Sequence, residues 1–259
     1  MKIKGKGYNE YAAAFFCGIF LLIILLITST QAVCYWIPDW WRTEYAKYNT
    51  PQYVTGEMSL DDAVYITDQM LEYCIGRLDT LEDTEATIDG VTAPFFTERE
   101  KLHLADCRVI FLGAVRVRLI LILVIIGLLF AVWFSIRSRH AKRSGDDAID
   151  PDLMSYVGRR FSRTLACGYL AALIVLLVAA LLIVLMGMED FTLLFTRFHH
   201  VFFDNDLWIL DPRHDNLVNV MQESVFADAA IWIGSIWAAS AVLLAVISGV
   251  ILGKTSDVK

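Results

Sequence analysis

Four stretches of this chain stay apolar for the length a bilayer demands: 11–32, about 110–136, 165–188 and 227–252. A helix rises about 1.5 Å per residue, so ~20 apolar residues cross a hydrocarbon core of about 30 Å. Each stretch meets that length with few or no internal charges. Arg116 and Arg118, near the start of the second, are the exception and are expected to snorkel to headgroup level. None of the four alternates apolar with polar at period two, which argues against membrane-spanning strands. The pattern predicts an all-α membrane protein, a single membrane domain over 1–259 with four transmembrane helices joined by segments 34–109, 137–164 and 189–226.

The joining segments carry patterns of their own. In 34–109, Ser59-Leu60-Asp61-Asp62 reads as a helix start, and Ala63, Ile66, Met70 and Tyr73 then recur at helical spacing. The acidic stretch Thr80–Gly90 reads as a loop. Thr97-Glu98-Arg99-Glu100 fits a capping box, and nothing breaks the helix from there to Arg137. One long helix is therefore expected to begin outside and continue into the second span, within an extracytoplasmic helical cap. In 189–226, Phe191, Leu194, Phe195, Phe198 and Phe202 form one stripe at helical spacing, which predicts an interfacial amphipathic helix. Asn205 and Asp206 then favour a turn, and Trp208 an interfacial anchor.

Composition agrees with the spans. The 259 residues are 57% hydrophobic, above the roughly 45–50% of soluble chains. With 15 Gly and 5 Pro, the chain is neither disordered nor collagen-like. Its net charge of −7 is unevenly placed. Lys2, Lys4 and Lys6 precede the first span, Arg137, Arg139, Lys142, Arg143, Arg159, Arg160 and Arg163 lie between the second and third, and Lys254 and Lys259 follow the fourth. The other two segments are acidic, so both termini are expected in the cytoplasm. No basic stripe with interleaved aromatics is present, which argues against a nucleic-acid partner. The first span is expected to be an uncleaved anchor, because its apolar run exceeds a signal h-region and Val33 precedes Cys34. Of the 5 cysteines, Cys34, Cys74 and Cys107 fall in an outer segment; a disulfide among them is possible, and spacing does not choose a pair.

Candidate chemistry sits at the outer boundary. At 100° per residue, His103, Asp106, Cys107 and Ile110 share a helix face with Arg99 beside them, and His103 lies ~10 Å outside Ile110. An imidazole one turn from a carboxylate suits either proton transfer or a stabilising interfacial pair. On the interfacial amphipathic helix, His199 lies roughly 70–80° from the centre of the aromatic stripe and His200 nearly opposite it.

Phe198-His199-His200-Val201-Phe202-Phe203, then Asn205-Asp206-Leu207-Trp208 and Leu210-Asp211-Pro212, resemble the signature of the bacterial lipoprotein intramolecular transacylase family. Tyr48-Asn49 through Thr55-Gly56 and Ser59–Asp62 to Leu71-Glu72-Tyr73, and Glu98 through Asp106, are similar to that family's pattern as well. Cys107 departs from it, standing where an aliphatic residue is expected, and the inner segment 137–163 is longer. The resemblance implies an enzyme of the bacterial cell membrane, multi-pass, with its site at the extracytoplasmic face. Its substrates would be diacylated lipoproteins whose N-terminal cysteine carries a thioether-linked diacylglyceryl group. The sn-2 acyl chain would move to the cysteine's α-amino group, giving an N-acyl lyso-form. His103 and His199 match the two histidines of the family. Asp106, Arg99, Arg197, Asn205, Asp206, Trp208 and Asp211 would support them or bind substrate.

Elementary chemistry is compatible with that reaction. The nucleophile is the substrate's own amine, with an ordinary pKa of about 8, so no Ser or Cys nucleophile is required. A histidine base can take its proton and a second donor can stabilise the oxyanion. Ester-to-amide exchange runs downhill, so no cofactor is expected. The sequence favours His103 as base, partnered by Asp106, with His199 as proton donor or oxyanion stabiliser, and leaves the reverse division of roles open. Two other classes stay open: a metal-dependent membrane hydrolase using His103 and His199 with Asp106 or Asp206, and a non-catalytic membrane scaffold or sensor. The absence of HExxH or HxxxH spacing counts against the first. The second requires that both histidines tolerate replacement.

Overall fold

A computed structural model describes residues 7–54, 56–144 and 153–256. Lys2, Lys4, Lys6, Thr55 and Lys259 lie outside the described residues, as does 145–152 within the expected inner segment. Helix α1 (Tyr8–Gln31) runs into a π turn at Ala32–Trp36 and is followed by α2 (Trp40–Tyr48) and α3 (Leu60–Cys74). Strands β1 (Glu85–Ile88) and β2 (Val91–Pro94) precede α4 (Glu98–Ser144), α5 (Leu153–Glu189), α6 (Phe191–Phe202), α7 (Leu217–Val220) and α8 (Glu223–Lys254). Four of these, α1, α4, α5 and α8, are long and apolar enough to cross a membrane. Each contains most or all of one apolar stretch read from the sequence.

The expected loop at 80–90 needs correction. Its second half is strand, paired antiparallel with 91–94 in the register Glu85–Pro94, Ala86–Ala93, Thr87–Thr92 and Ile88–Val91. The reason is the turn: Asp89 (φ 52°) and Gly90 (φ 75°) take the left-handed geometry of a two-residue hairpin, for which Asp-Gly is a favoured pair.

The chain forms two compact units. The first comprises Met1–Thr28, Val117–Ile183 and Ser235–Lys259. Its core gathers Leu22, Tyr169, Ala172, Leu173 and Ala241. Tyr169 Oη donates to the Ala241 carbonyl (2.8 Å) and Trp237 Nε1 to that of Leu22 (2.9 Å). Small residues let α1 and α5 approach: a Cβ on Gly168 would collide with the Ala14 backbone. Such close crossings are a device of membrane helices, where packing replaces the hydrophobic drive. The outer faces carry bare aliphatic side chains, Leu119, Leu123, Ile126, Leu181, Leu182 and Leu243 among them, as lipid contact requires.

The second unit comprises Ser29–Arg116 and Val184–Gly234. Ser59 caps α3, accepting from the Asp62 amide at 2.9 Å. Tyr45 is fully buried and shares a 2.6 Å hydrogen bond with Thr67, joining α2 to α3. The capping box at the head of α4 is formed: the Thr97 amide donates to Glu100 Oε2 (2.6 Å) and the Glu100 amide to Thr97 Oγ1 (3.3 Å).

Candidate active site

Two helices of the second unit present the candidate residues. His103 sits in the second turn of α4, outside the expected crossing segment 110–136, and His199 lies near the end of α6. Both are buried, each 7% exposed, whereas His200 is exposed, on the side away from the aromatic stripe. The rings of His103 and His199 lie 6.2 Å apart. Aromatic rings enclose them. Phe203, buried, is 5.1 Å from His103 and 5.6 Å from His199. Phe195 is 4.1 Å from His199, and Trp208 stacks on His199 at 4.8 Å with 26° between planes.

Hydrogen bonds distinguish the ring nitrogens. His199 Nδ1 lies 2.8 Å from the Phe195 carbonyl oxygen. A carbonyl only accepts, so Nδ1 carries the proton and Nε2 of the neutral ring holds the lone pair. His103 Nε2 faces the Cys107 sulfur at 3.6 Å, and its Nδ1 is buried with no partner among the described residues. Trp208 Nε1, a donor only, is likewise buried and unpartnered. Burial, reinforced by the nearby His199 and opposed by Asp106, pushes His103 down to about 4. Burial also lowers His199, against the opposing effect of its bond to Phe195. Both rings are therefore neutral at pH 7.

The loop after α6 is tied to α4 by the polar residues singled out in the sequence. Asn205 Nδ2 donates to Asp106 Oδ2 at 2.9 Å, while Asn205 Oδ1 accepts from the Leu207 amide at 3.0 Å. Arg99 donates to the Asp206 carbonyl. This corrects the expected partnership of His103 with Asp106: that carboxylate bonds Asn205 and acts on His103 only through its charge. Asp211 belongs to a neighbouring network rather than to the ring cluster. It is bonded by Arg213 and His214, which hold its carboxyl well below the usual range, and its amide donates to Asp215. Arg197 is exposed, and no hydrogen bond or ion pair joins it to the cluster among the described residues.

Three contributors were not singled out as site residues from the sequence. Phe203 packs edge-on against His103. Glu100, fully buried, accepts from the Leu217 amide in addition to its capping role. Asp215, buried, accepts from Thr97 Oγ1 at 3.0 Å. Glu100 was legible as a cap, but its second bond spans 117 positions and has no local signal.

Chemically, the cluster offers one imidazole lone pair with a fixed tautomer, one unpartnered imidazole nitrogen and one unpartnered indole N–H, all inside an aromatic enclosure. Among the described residues, no three His, Cys, Asp or Glu side chains are arranged to hold a metal ion.

Residues 15–226, more than four fifths of the chain, match the sequence pattern of the family described as lipoprotein intramolecular transacylase Lit. No curated protein sequence matches the chain. Among solved structures it is similar to the in meso structure of the membrane integral lipoprotein intramolecular transacylase Lit from Bacillus cereus, at TM-score 0.66 and 16% identity, covering 97% of this chain and 99% of that one. A histidine-to-arginine variant of the Bacillus cereus protein matches at TM-score 0.65 and 16% identity, over 98% of this chain and 96% of the other. A histidine-to-alanine variant does so at the same score and identity over 96% of each. At this identity the structural likeness speaks for the fold alone.

Proposed function

The chain belongs to the lipoprotein intramolecular transacylase family, and from that premise we propose how its two buried histidines carry out the transfer. The protein is a multi-pass membrane enzyme, an acyltransferase acting on lipoproteins. In the proposed reaction the substrate is a diacylated lipoprotein, with a diacylglyceryl thioether on its N-terminal cysteine. The free α-amine attacks the sn-2 ester carbon and forms the C–N bond. His199 Nε2 accepts the amine proton. The tetrahedral oxyanion is held by donors from His103 Nδ1 and Trp208 Nε1. The C–O bond then breaks, and His199 returns the proton to the departing glyceryl oxygen as a hydroxyl. The product is an N-acyl lyso-form with one ester-linked chain, and no atoms enter or leave.

The observation that carries this reading is the 2.8 Å bond from His199 Nδ1 to the Phe195 carbonyl, which leaves a lone pair on Nε2. It reverses the division of roles favoured by the sequence, where His103 was the base. Enclosure by rings supports transfer over hydrolysis. The unpartnered nitrogens of His103 and Trp208 are sealed from water, so substrate reaches them by parting the aromatic side chains. Amine and ester share one molecule, so much of the barrier is met by folding the substrate into a reactive conformation.

The distribution of Lys and Arg supports placing both termini and 137–164 in the cytoplasm, with 34–109 and 189–226 outside and crossing segments at 11–32, 110–136, 165–188 and 227–252. Membrane lipids then surround the spans. A membrane-impermeant thiol reagent should label Asp83→Cys, but not Arg159→Cys, in intact cells, with the parent as the blank.

Mass spectrometry of a native lipoprotein's N-terminal peptide, with and without this protein expressed, tests the reaction. Expression should convert diacylglyceryl peptide into N-acylated peptide with a single O-acyl chain at unchanged total acyl count. Loss of a fatty acid, or no change, would overturn it.

A further inference from the structure

Cys107 is a departure that the reaction above does not use. One helical turn from His103, its sulfur lies 3.6 Å from His103 Nε2. The other nitrogen of the ring, Nδ1, is buried and unpartnered in a side chain only 7% exposed. The ring is therefore held at one end and free at the end available to substrate.

The turn bearing Cys107 is itself fixed. Arg108 donates to the Leu78 carbonyl at 2.9 Å and lies 4.6 Å over the Tyr73 ring, holding α4 against the end of α3. Burial pushes the Cys107 thiol up to about 12, so it keeps its proton at neutral pH. A protonated thiol can donate S–H to a lone pair, and His103 is neutral under the same conditions.

We propose that Cys107 is a positioning residue that selects the tautomer of His103: its S–H donates to Nε2, so the imidazole proton resides on Nδ1 and is offered to the substrate oxyanion. This rests on the assignment of His103 as donor and His199 as base. A neutral imidazole used as an electrophilic donor is sound chemistry, because it stabilises developing charge without first needing a proton. The two histidines then hold the same Nδ1–H tautomer by different means, so that His103 offers its proton and His199 its lone pair. His199 is fixed through Nδ1 by a backbone acceptor, and His103 through Nε2 by a side-chain donor. The proton inventory also argues against an acyl-thiol intermediate, since the thiol serves the ring and is not a nucleophile.

The test uses full-length protein labelled with 15N-histidine in lipid nanodiscs at pH 7, with His103 assigned by comparison with His103→Gln. The parent should show the Nδ1–H tautomer at His103. Cys107→Ser, which keeps a donor in place, should preserve that tautomer and most of kcat. Cys107→Ala should shift the ring toward Nε2–H and lower kcat at least about tenfold with KM little changed, as expected for loss of a group orienting a catalytic one. An Nε2–H tautomer in the parent overturns the proposal. So does a Cys107→Ala protein with the parent's tautomer, or with the kcat of Cys107→Ser. The tautomer readout needs no turnover, so a parent showing Nδ1–H without acyl transfer would count against the proposed reaction and not against the thiol's effect on the ring.

Discussion

His199 donates its Nδ1 proton to the carbonyl oxygen of Phe195, four residues earlier on the same helix, across 2.8 Å. The helix thus supplies the orienting group that other enzymes take from a carboxylate. A backbone carbonyl fixes the tautomer without adding a negative charge inside an aromatic enclosure, where an unpaired charge would be costly.

The first prediction separates three histidines. His199→Ala and His103→Ala should each cost ~10²–10⁴-fold in lyso-form yield per unit time, the usual range for a lost acid–base group. His200, exposed and set edge-on to Trp208 at 5.2 Å, should tolerate alanine with a loss below about tenfold. The assay is product formation at matched protein levels. Near-silent replacement of both buried histidines would return the scaffold reading to the front.

A second prediction concerns pH. With His103 lowered to about 4 and His199 also lowered, neither should titrate near the ordinary 6.5. The log of kcat/KM should therefore climb with pH as the substrate amine deprotonates toward its value of about 8, with no break near 6.5. Stability moves in the same direction but in a lower window. The unfolded chain takes up a proton at His103 near pH 6.5 and the folded chain does so only near 4, so stability should fall as pH drops through that window and stay flat above it. A pH–rate profile and thermal melts at pH 4.5, 5.5 and 7 check both. A kinetic break at 6.5 would mean that the base is solvated in the working state.

Sequence pattern and structure part company in an instructive way. The caps at Ser59 and Thr97, the long helix α4 and the different angular placements of His199 and His200 follow from spacing within one turn and were legible, whereas the burial of His199 comes from Phe203 and Trp208 beyond its own helix. The hairpin signal was also present, because Asp89-Gly90 lies between Thr- and Val-bearing strands, but the acidic residues around it suggested a loop. The pairing of His103 with Asp106 was inferred from local spacing. It gave way to Asn205, which arrives from 99 positions away. A carboxylate at the right spacing is only a candidate partner until every distant donor has been placed. The tautomers likewise depend on which atoms face each ring, and no periodicity encodes that.

Asn205 gives a third prediction. Its amide donates to Asp106 while its carbonyl oxygen caps the turn at Leu207, so one side chain fastens the loop carrying Trp208 to α4. Asn205→Asp keeps the turn acceptor but sets a second carboxylate against Asp106. It should therefore lower both Tm and activity more than Asn205→Ala, which removes the bonds without adding repulsion. The Tm difference should be a few degrees. Melting curves and initial rates for the parent and the two variants decide it, and an Asn205→Asp protein as stable and active as the parent would show that the Asp106 contact contributes nothing.

Trp208 allows the sharpest separation of packing from chemistry. Its ring stacks on His199 at 4.8 Å, whereas its Nε1–H is buried without an acceptor. An unmet buried donor costs stability, and a substrate oxyanion would satisfy it at the moment negative charge develops. Trp208→Phe retains a stacking ring but removes the donor. It should lower kcat by roughly 10²–10³, the range for losing one oxyanion donor, with a much smaller change in KM. Phenylalanine is also smaller, so replacement of the indole by benzothiophene, which keeps the bicyclic shape without the N–H, supplies the control. If the N–H acts on the oxyanion, the benzothiophene variant should be as slow as Trp208→Phe while melting at or above the parent's Tm, because no folded-state hydrogen bond has been lost. If it turns over at the parent's rate, Trp208 is a wall of the enclosure, and His103 is left as the donor to the oxyanion.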